Sequence, residues 1–275
     1  MYARSGHRAR AARARDVRAR TVRRLTEAGC IFAEEEARLL VAAAHDERIL
    51  EEMVGRRTSG LPLEQVLGWA ELAGIRVGVR PGVFVPRHRT ALLVREATAV
   101  CPPGALAVDL CCGSGAIGVA LAARVRRLRL HAVDIDPAAV ACAARNLSGF
   151  DAHVYEGDLF GPLPAALRGH VDLVAANAPY VPTSEIDLLP REARLHEPRR
   201  ALDGGEDGLD VHRRIAAEAP AWLAAGGHLV VEVAEHQVPD LVGILGRAGL
   251  SARVVRDAKL EASVIVAAAT PLVAR

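Results

Sequence analysis

From residue 106 onward the chain repeats one pattern, and few folds accept it: a short apolar run, a glycine or polar turn, then a helical stretch. The apolar runs fall at residues 106–110, 130–133, 153–155, 171–176 and 228–233, with helical spacing at 116–126, 137–147 and 209–223 between several of them. Strands joined through helices pair in parallel, so the pattern predicts an α/β fold, a doubly wound sheet with helices on both faces. Two further runs, 252–255 and 263–268, are close in sequence and are expected as an antiparallel pair closing one edge, which makes seven strands. A chain of 275 residues with 51% hydrophobic content can fill such a domain and a small appendage. No apolar run approaches the roughly 20 residues a membrane span needs, and the N-terminus lacks the apolar core of a secretory signal. A cytoplasmic monomer without membrane contact is expected.

Ahead of the repeating pattern, residues 21–57 are rich in Ala, Leu, Glu and Arg, lack proline and carry apolar positions at helical spacing, as in two or three packed helices. Ser59-Gly60-Leu61-Pro62 breaks that run. Residues 72–85 then alternate and are punctuated by Gly74, Gly78 and Pro81-Gly82, as in a β-hairpin. The expected division is a helical domain over 1–70, its first 20 residues disordered, a hairpin connector over 71–87 and the main domain over 88–275.

Residues 1–24 hold nine arginines, Arg4, Arg8, Arg10, Arg13, Arg15, Arg18, Arg20, Arg23 and Arg24, against Asp16 alone, while the whole chain is only +2. Such a start would be attracted weakly to RNA or to a ribosome. Lys259 is the single lysine, so a coding preference for arginine explains part of the run, and residues 1–15 can equally be read as lying upstream of the natural start. The five cysteines show no paired Cys-x-x-Cys spacing; neither a disulfide framework nor a zinc or other metal site is expected.

Val108-Asp109-Leu110 runs into Cys111-Cys112-Gly113-Ser114-Gly115-Ala116-Ile117-Gly118, a strand feeding a helix through a turn that brings backbone close to a ligand. Asp134 ends the next strand, where a carboxylate can accept from both ribose hydroxyls. At that point NAD and S-adenosylmethionine both fit. Two more acids favour the second: Asp109 would repel a pyrophosphate while tolerating an ammonium and a sulfonium, and Gly157-Asp158-Leu159-Phe160 offers a carboxylate and a backbone amide to an adenine edge.

The fourth strand ends in Asn177-Ala178-Pro179-Tyr180. An amide or exocyclic amine is a poor nucleophile because its lone pair is delocalised, so a site that methylates it must hold the nitrogen by its hydrogens. The Asn177 side-chain oxygen and the carbonyl of residue 178 are suitable acceptors. Pro179 would stiffen the turn and Tyr180 would cover the planar group. No general base is required before transfer, because positive charge develops on nitrogen only in the transition state.

These residues resemble the protein glutamine methyltransferases, which methylate a glutamine side chain in peptide chain release factors or, in a sister group, in a ribosomal protein. The resemblance runs from about residue 31 to residue 266. Beyond the loop and the turn it rests on Leu63-Glu64-Gln65-Val66-Leu67-Gly68, Phe84-Val85-Pro86-Arg87, Glu197-Pro198, Ala201 to Asp210 and Gly226-Gly227-His228-Leu229. It implies a class I methyltransferase sheet, with the helical domain recognising the substrate and S-adenosylmethionine as cofactor. It further implies that Asp109, Cys111, Cys112, Gly113, Ser114, Gly115, Asp134, Ile135, Asp158, Leu159 and Asn177 bind the cofactor, and that Asn177, Ala178, Pro179 and Tyr180 grip the glutamine with Phe84 and Arg87 flanking it.

Three positions depart from the family's pattern. Ala178 stands where proline is usual, and Cys111-Cys112 where Gly-Thr is usual. After Arg87 the usual Pro-Glu-Thr is replaced by His88-Arg89-Thr90, which exchanges an acid for basic groups near the substrate entrance and allows a different protein substrate. Rival readings are an amino methyltransferase of adenine or of guanine in ribosomal RNA, a cofactor-binding protein without catalysis, and, last, NAD-linked hydride transfer.

Overall fold

The computed structural model describes residues 3–269 and, of the side chains before Arg15, only that of Arg13. The chain forms two compact units, one made of residues 1–68 with 191–196, the other of 69–190 with 197–275.

The first unit is helical: α1 (Ala3–Glu27), α2 (Ala33–Ala43), α3 (Glu47–Thr58), α4 (Leu63–Leu67) and, returning late in the sequence, α8 (Arg191–His196). Its core is Leu25, Ala37, Leu40, Leu50, Met53, Val54 and Val66. Asp46 caps α3 by accepting from the Ile49 N–H at 2.7 Å. The expected disorder over 1–20 is replaced, from Ala3 on, by one helix; residues 1 and 2 lie outside the described residues. Alanine and arginine are strong helix formers, and Arg13 and Arg20 pair with Glu47 while Arg24 pairs with Glu51 on α3. These pairs are exposed, worth at most about 1 kcal/mol each. The buried Arg57 differs: it binds the equally buried Glu36 at 2.6 and 3.0 Å and the more exposed Glu192 of α8 at 2.7 Å, so losing Glu36 would leave a charge away from water with only part of its compensation.

The second unit opens with a hairpin, β1 (Trp69–Leu72) and β2 (Ile75–Gly78), earlier than expected. Its turn is Ala73-Gly74, both at positive φ (50° and 79°), the two-residue geometry that matches strand twist. An alanine at the first of those positions hides the signal.

There follow α5 (Ala91–Val100), β3 (Leu106–Leu110), α6 (Ala116–Ala122), β4 (Arg129–Asp134), α7 (Pro137–Leu147), β5 (Ala152–Glu156) and β6 (Val171–Ala176). The unit is completed by α9 (Asp210–Glu218), β7 (Leu223–Val233), α10 (Val238–Arg247), β8 (Leu250–Asp257) and β9 (Ala262–Ala269). The seven strands lie in the order β5-β4-β3-β6-β7-β9-β8. The first five pair in parallel, and β9 runs antiparallel to both β7 and β8, the expected closing pair.

Alternate residues of each strand point to opposite faces. Leu106, Val108 and Leu110 pack with Phe160, Ile215, Trp222 and Leu241 on one side, whereas Ala107, Val230, Val264 and Val266 pack with Leu92, Leu93, Ile117 and Leu121 on the other. The same parity carries Asp109 of β3 and Glu232 of β7 to the second side. Strand order reverses at β3, which leaves a crevice at the carboxyl ends of β3 and β6, the place where open α/β sheets bind ligands.

Candidate active site

A cleft of about 290 Å³ opens at that reversal point, within the second unit. It is lined by Phe84, Cys111, Cys112, Gly113, Ser114, Asp134, Ile135, Asp158, Leu159, Asn177 and Pro179, all expected from the sequence. Asp109, Gly115, Ala178, Tyr180 and Arg87 are expected with them and do not line it. Of those five, Arg87 stacks on Phe84, which does, and the Gly115 N–H donates to Cys112 O at 2.7 Å.

On the β3 side, three residues of the loop adopt positive φ: Cys111 (54°), Gly113 (55°) and Gly115 (76°). At Gly115 a Cβ would lie 3.1 Å from Ala143 of α7 as well as being strained, so the loop is pressed against that helix. The loop is stitched by the Cys112 N–H to Val133 O at 3.0 Å, and by the Gly113 N–H to the Asp134 carboxylate at 2.8 Å. Asp134 also accepts from the Asp136 N–H at 2.9 Å.

Asp109 is fully buried and accepts from the Gly118 N–H at 2.9 Å, which explains its absence from the cleft wall: it anchors the start of α6 under the loop. Burial pushes its carboxyl up to about 7, with the Asp134 charge adding to the shift, and its second oxygen has no hydrogen-bond partner among the described residues. Burial also holds the Cys111 and Cys112 thiols well above their ordinary range, so neither is a reactive thiolate.

The donor set fits S-adenosylmethionine. An acid under the loop and one at the end of β4 make that end of the cleft hostile to phosphate and suited to cationic groups. Asp134 engages two backbone N–H groups and still has lone pairs for a ribose. Ile135, half exposed at the cleft edge, offers an apolar face to a base. Asp158 also lines the cleft, held by Arg214 at 2.5 Å.

On the β6 side the Asn177 amide nitrogen donates to the Thr90 hydroxyl at 3.1 Å, which leaves its oxygen for the cleft. Ala178 is buried. Tyr180, expected from the sequence to cover the substrate, does not line the cleft; its hydroxyl donates to Glu232 at 3.3 Å and accepts from Arg89, whose guanidinium lies 5.5 Å from the ring centroid. Tyr180 pins the turn and does not wall the cleft. Burial and the Glu232 charge raise its phenol, so it remains a donor.

The stretch from Asp203 to Asp210 braces the same turn from behind. Val181 N–H donates to Leu202 O, Gly204 N–H to Val181 O and Thr183 N–H to Gly205 O, at 3.0, 2.8 and 2.8 Å. The Gln237 amide donates to both Tyr180 O and Asp207 O, at 2.9 and 2.8 Å. Gly208, at φ 79°, passes so close that a Cβ would lie 2.2 Å from Tyr180 O. Arg87 has a comparable supporting place: Glu197 holds it at 2.6 Å and it stacks 5.0 Å from the centre of Phe84, whose ring does line the cleft.

Sequence reading missed Thr90, Asp136, Pro198, Arg200, Asp203 and Arg214 in the cleft wall, and Glu232 and Gln237 behind it. One signal was available: where His88-Arg89-Thr90 departs from Pro-Glu-Thr, the threonine is the part retained.

Residues 75–206 match the family described as methyltransferase small domain. A release factor glutamine methyltransferase of Geobacter sulfurreducens is 41% identical over 72% of this chain and 69% of its own length. The chain belongs to the release factor glutamine methyltransferase family. A second member, from Gloeobacter violaceus, is 40% identical over 74% of this chain and 72% of its own. The fold is also that of a solved methyltransferase from Pyrococcus furiosus, with a TM-score of 0.54 at 14% identity, covering 71% of this chain and 89% of that one. Among the described residues no helix is long and apolar enough to cross a membrane, and no cluster of His, Cys, Asp or Glu could hold a metal ion.

Proposed function

We propose that this chain transfers a methyl group from S-adenosylmethionine to the side-chain amide nitrogen of a glutamine in peptide chain release factors. The observation that carries the reading is Asn177, fixed by its nitrogen at the end of β6 with its oxygen left for the cleft that the Gly113 loop lines. Loop residues 111–115, Asp134, Ile135, Asp158 and Leu159 hold the cofactor, and Asp109 sets the loop. S-adenosylmethionine supplies a methyl group on a sulfonium, which becomes a thioether when the methyl leaves.

Asn177 Oδ1 and the Ala178 carbonyl accept the two amide hydrogens and turn the nitrogen lone pair toward the methyl carbon. As the nitrogen becomes positive both acceptors strengthen their hold, which lowers the barrier without a base. Pro179 and Phe84 exclude water, and the amide proton is lost to solvent after transfer.

The helical unit is read as the part that recognises the protein substrate, supported by Ile31 and Phe32, 88% and 71% exposed. Contact with RNA through the arginine-rich start would be weak, because Arg13, Arg20 and Arg24 already face acids of α3. The protein is read as a cytoplasmic monomer.

Purified protein given methyl-labelled cofactor should label the glutamine of a release factor's Gly-Gly-Gln segment. Asn177→Ala should lower kcat by at least about 100-fold, as when one preorganised transition-state contact is removed, while cofactor affinity read by calorimetry changes little. Label in RNA instead of protein would overturn the reading.

A further inference from the structure

The glycine loop is tied to a distant part of its own unit through one side chain. Asn146 lies half-buried at the end of α7. Its amide makes three hydrogen bonds, all to backbone: Oδ1 accepts from the Gly78 N–H at 3.0 Å, and Nδ2 donates to Gly78 O at 2.9 Å and to Ser114 O at 2.8 Å. A primary amide has one carbonyl and two N–H groups, and here all three are engaged. The amide cannot be turned over, because the Gly78 N–H can only donate and Ser114 O can only accept.

Both ends of this bridge lead to the cleft. Ser114 lines it, between the positive-φ residues Gly113 and Gly115. Gly78 ends β2, and the chain running on from it reaches the cleft at Gly82, Val83, Phe84 and Pro86. Helix α7 backs both segments. Ala139, Cys142 and Asn146, spaced three and four residues apart, share one face, on which Val83 packs against the first two. Ala143 and Leu147, one position further round, meet Gly115. Asn146 alone on that helix bonds to the hairpin and to the loop at once.

We propose that Asn146 is a positioning residue that couples the cofactor loop to the segment carrying Phe84, so that cofactor seated on residues 111–115 also fixes the wall that flanks the glutamine. The proposal rests on the methyl-transfer reading above. Coupling of this kind passes through a continuous hydrogen-bonded connection, and the path here is Ser114 O, the Asn146 amide and the Gly78 peptide. Asn146 does not line the cleft and acts through what it holds.

The test measures S-adenosylmethionine binding to the full chain by calorimetry, without release factor. Asn146→Ala should weaken Kd roughly 10-fold, and Asn146→Asp, which keeps the acceptor but loses both donors, at least as much. Gly78→Ala approaches from the hairpin side. Gly78 is not at positive φ and does not line the cleft, but a Cβ there would lie 2.9 Å from Asn146 Oδ1 and displace the amide. It should weaken Kd roughly 3- to 10-fold alone and add nothing in the Asn146→Ala background, where the atom it meets is gone. With release factor present, Asn146→Ala should raise KM for that substrate while kcat at saturation falls less than about 3-fold. An unchanged Kd in Asn146→Ala, or a Gly78→Ala effect that persists in the double variant, would overturn the proposal.

Hydrogen exchange checks the same connection in the parent chain, with no substitution. Adding S-adenosylmethionine should slow exchange of the Gly78 amide, whose acceptor is Asn146 Oδ1, by about 5-fold or more. In Asn146→Ala, saturating cofactor should leave exchange over residues 75–87 as it was. No slowing in the parent would also overturn the coupling. A parent chain that shows the slowing and the Kd pattern but labels no release factor would instead refute the functional reading alone.

Discussion

The two halves of the cleft are built differently. The glycine loop after β3 is held by near neighbours in sequence: Asp109 reaches Gly118, Asp134 reaches Gly113, and Gly115 rests on α7. The turn after β6 is held from afar, by Thr90 from 87 residues earlier, Glu232 from 52 later and Gln237 from 57 later. A cofactor common to many enzymes can be gripped by one local motif. An acceptor pair for one amide needs an orientation that a four-residue turn cannot fix by itself.

Four changes probe that contrast, taken from the largest expected effect down. Asp109→Asn should test whether the loop's anchor acts through burial. Its carboxyl is raised from the ordinary 3.8 to about 7, so the unfolded chain ionises first as pH rises. The Asp109 contribution to the parent's stability is therefore greatest below about pH 4 and declines as pH climbs to about 7. Asparagine cannot ionise, so urea unfolding of the ligand-free proteins should show the variant gaining on the parent across that window, by up to about 4 kcal/mol. A difference that stays flat with pH would remove the argument.

Gly208→Ala comes next, since it drives a Cβ into Tyr180 O at a positive φ. We expect a loss of about 3 kcal/mol in unfolding experiments and a fall in kcat of roughly 30-fold or more, with cofactor affinity little changed. Gln237→Ala removes two bonds to backbone carbonyls and should cost about 2 kcal/mol, again lowering kcat and sparing cofactor Kd. Gly115→Ala is the mirror case: about 1 to 2 kcal/mol of stability and a weaker cofactor Kd by calorimetry, with kcat at saturating cofactor nearly kept. If the first two weakened cofactor binding as much as the last, the two halves would not be separable.

The same contrast governs what could be read without coordinates. The parallel strands and the closing antiparallel pair were legible because short continuous apolar runs set between helical stretches leave few alternatives. So were the loop and the turn, each a contiguous string. Thr90, Glu232 and Gln237 were not, because a lone polar residue in an apolar strand or beside a helix gives no hint of a partner far along the chain. Asp109, Tyr180 and Arg87 were recognised as belonging to the site; none of them lines the cleft, and their hydrogen bonds to Gly118, Glu232 and Glu197 come from positions far along the chain or under the loop. The first helix was read only from residue 21 on, with residues 1–20 expected to be disordered; the acids that pair with its arginines, Glu47 and Glu51, lie on α3.

The late helix α8 has an engineering consequence. Because residues 191–196 belong to the helical unit while both flanks belong to the sheet unit, the polypeptide passes between the units three times. Cutting after Gly68 would leave Glu192 on a catalytic fragment without Arg57, its partner. Anyone wishing to transplant the helical unit onto another methyltransferase would have to move two separated segments together, and a conventional N-terminal fusion would carry only part of it.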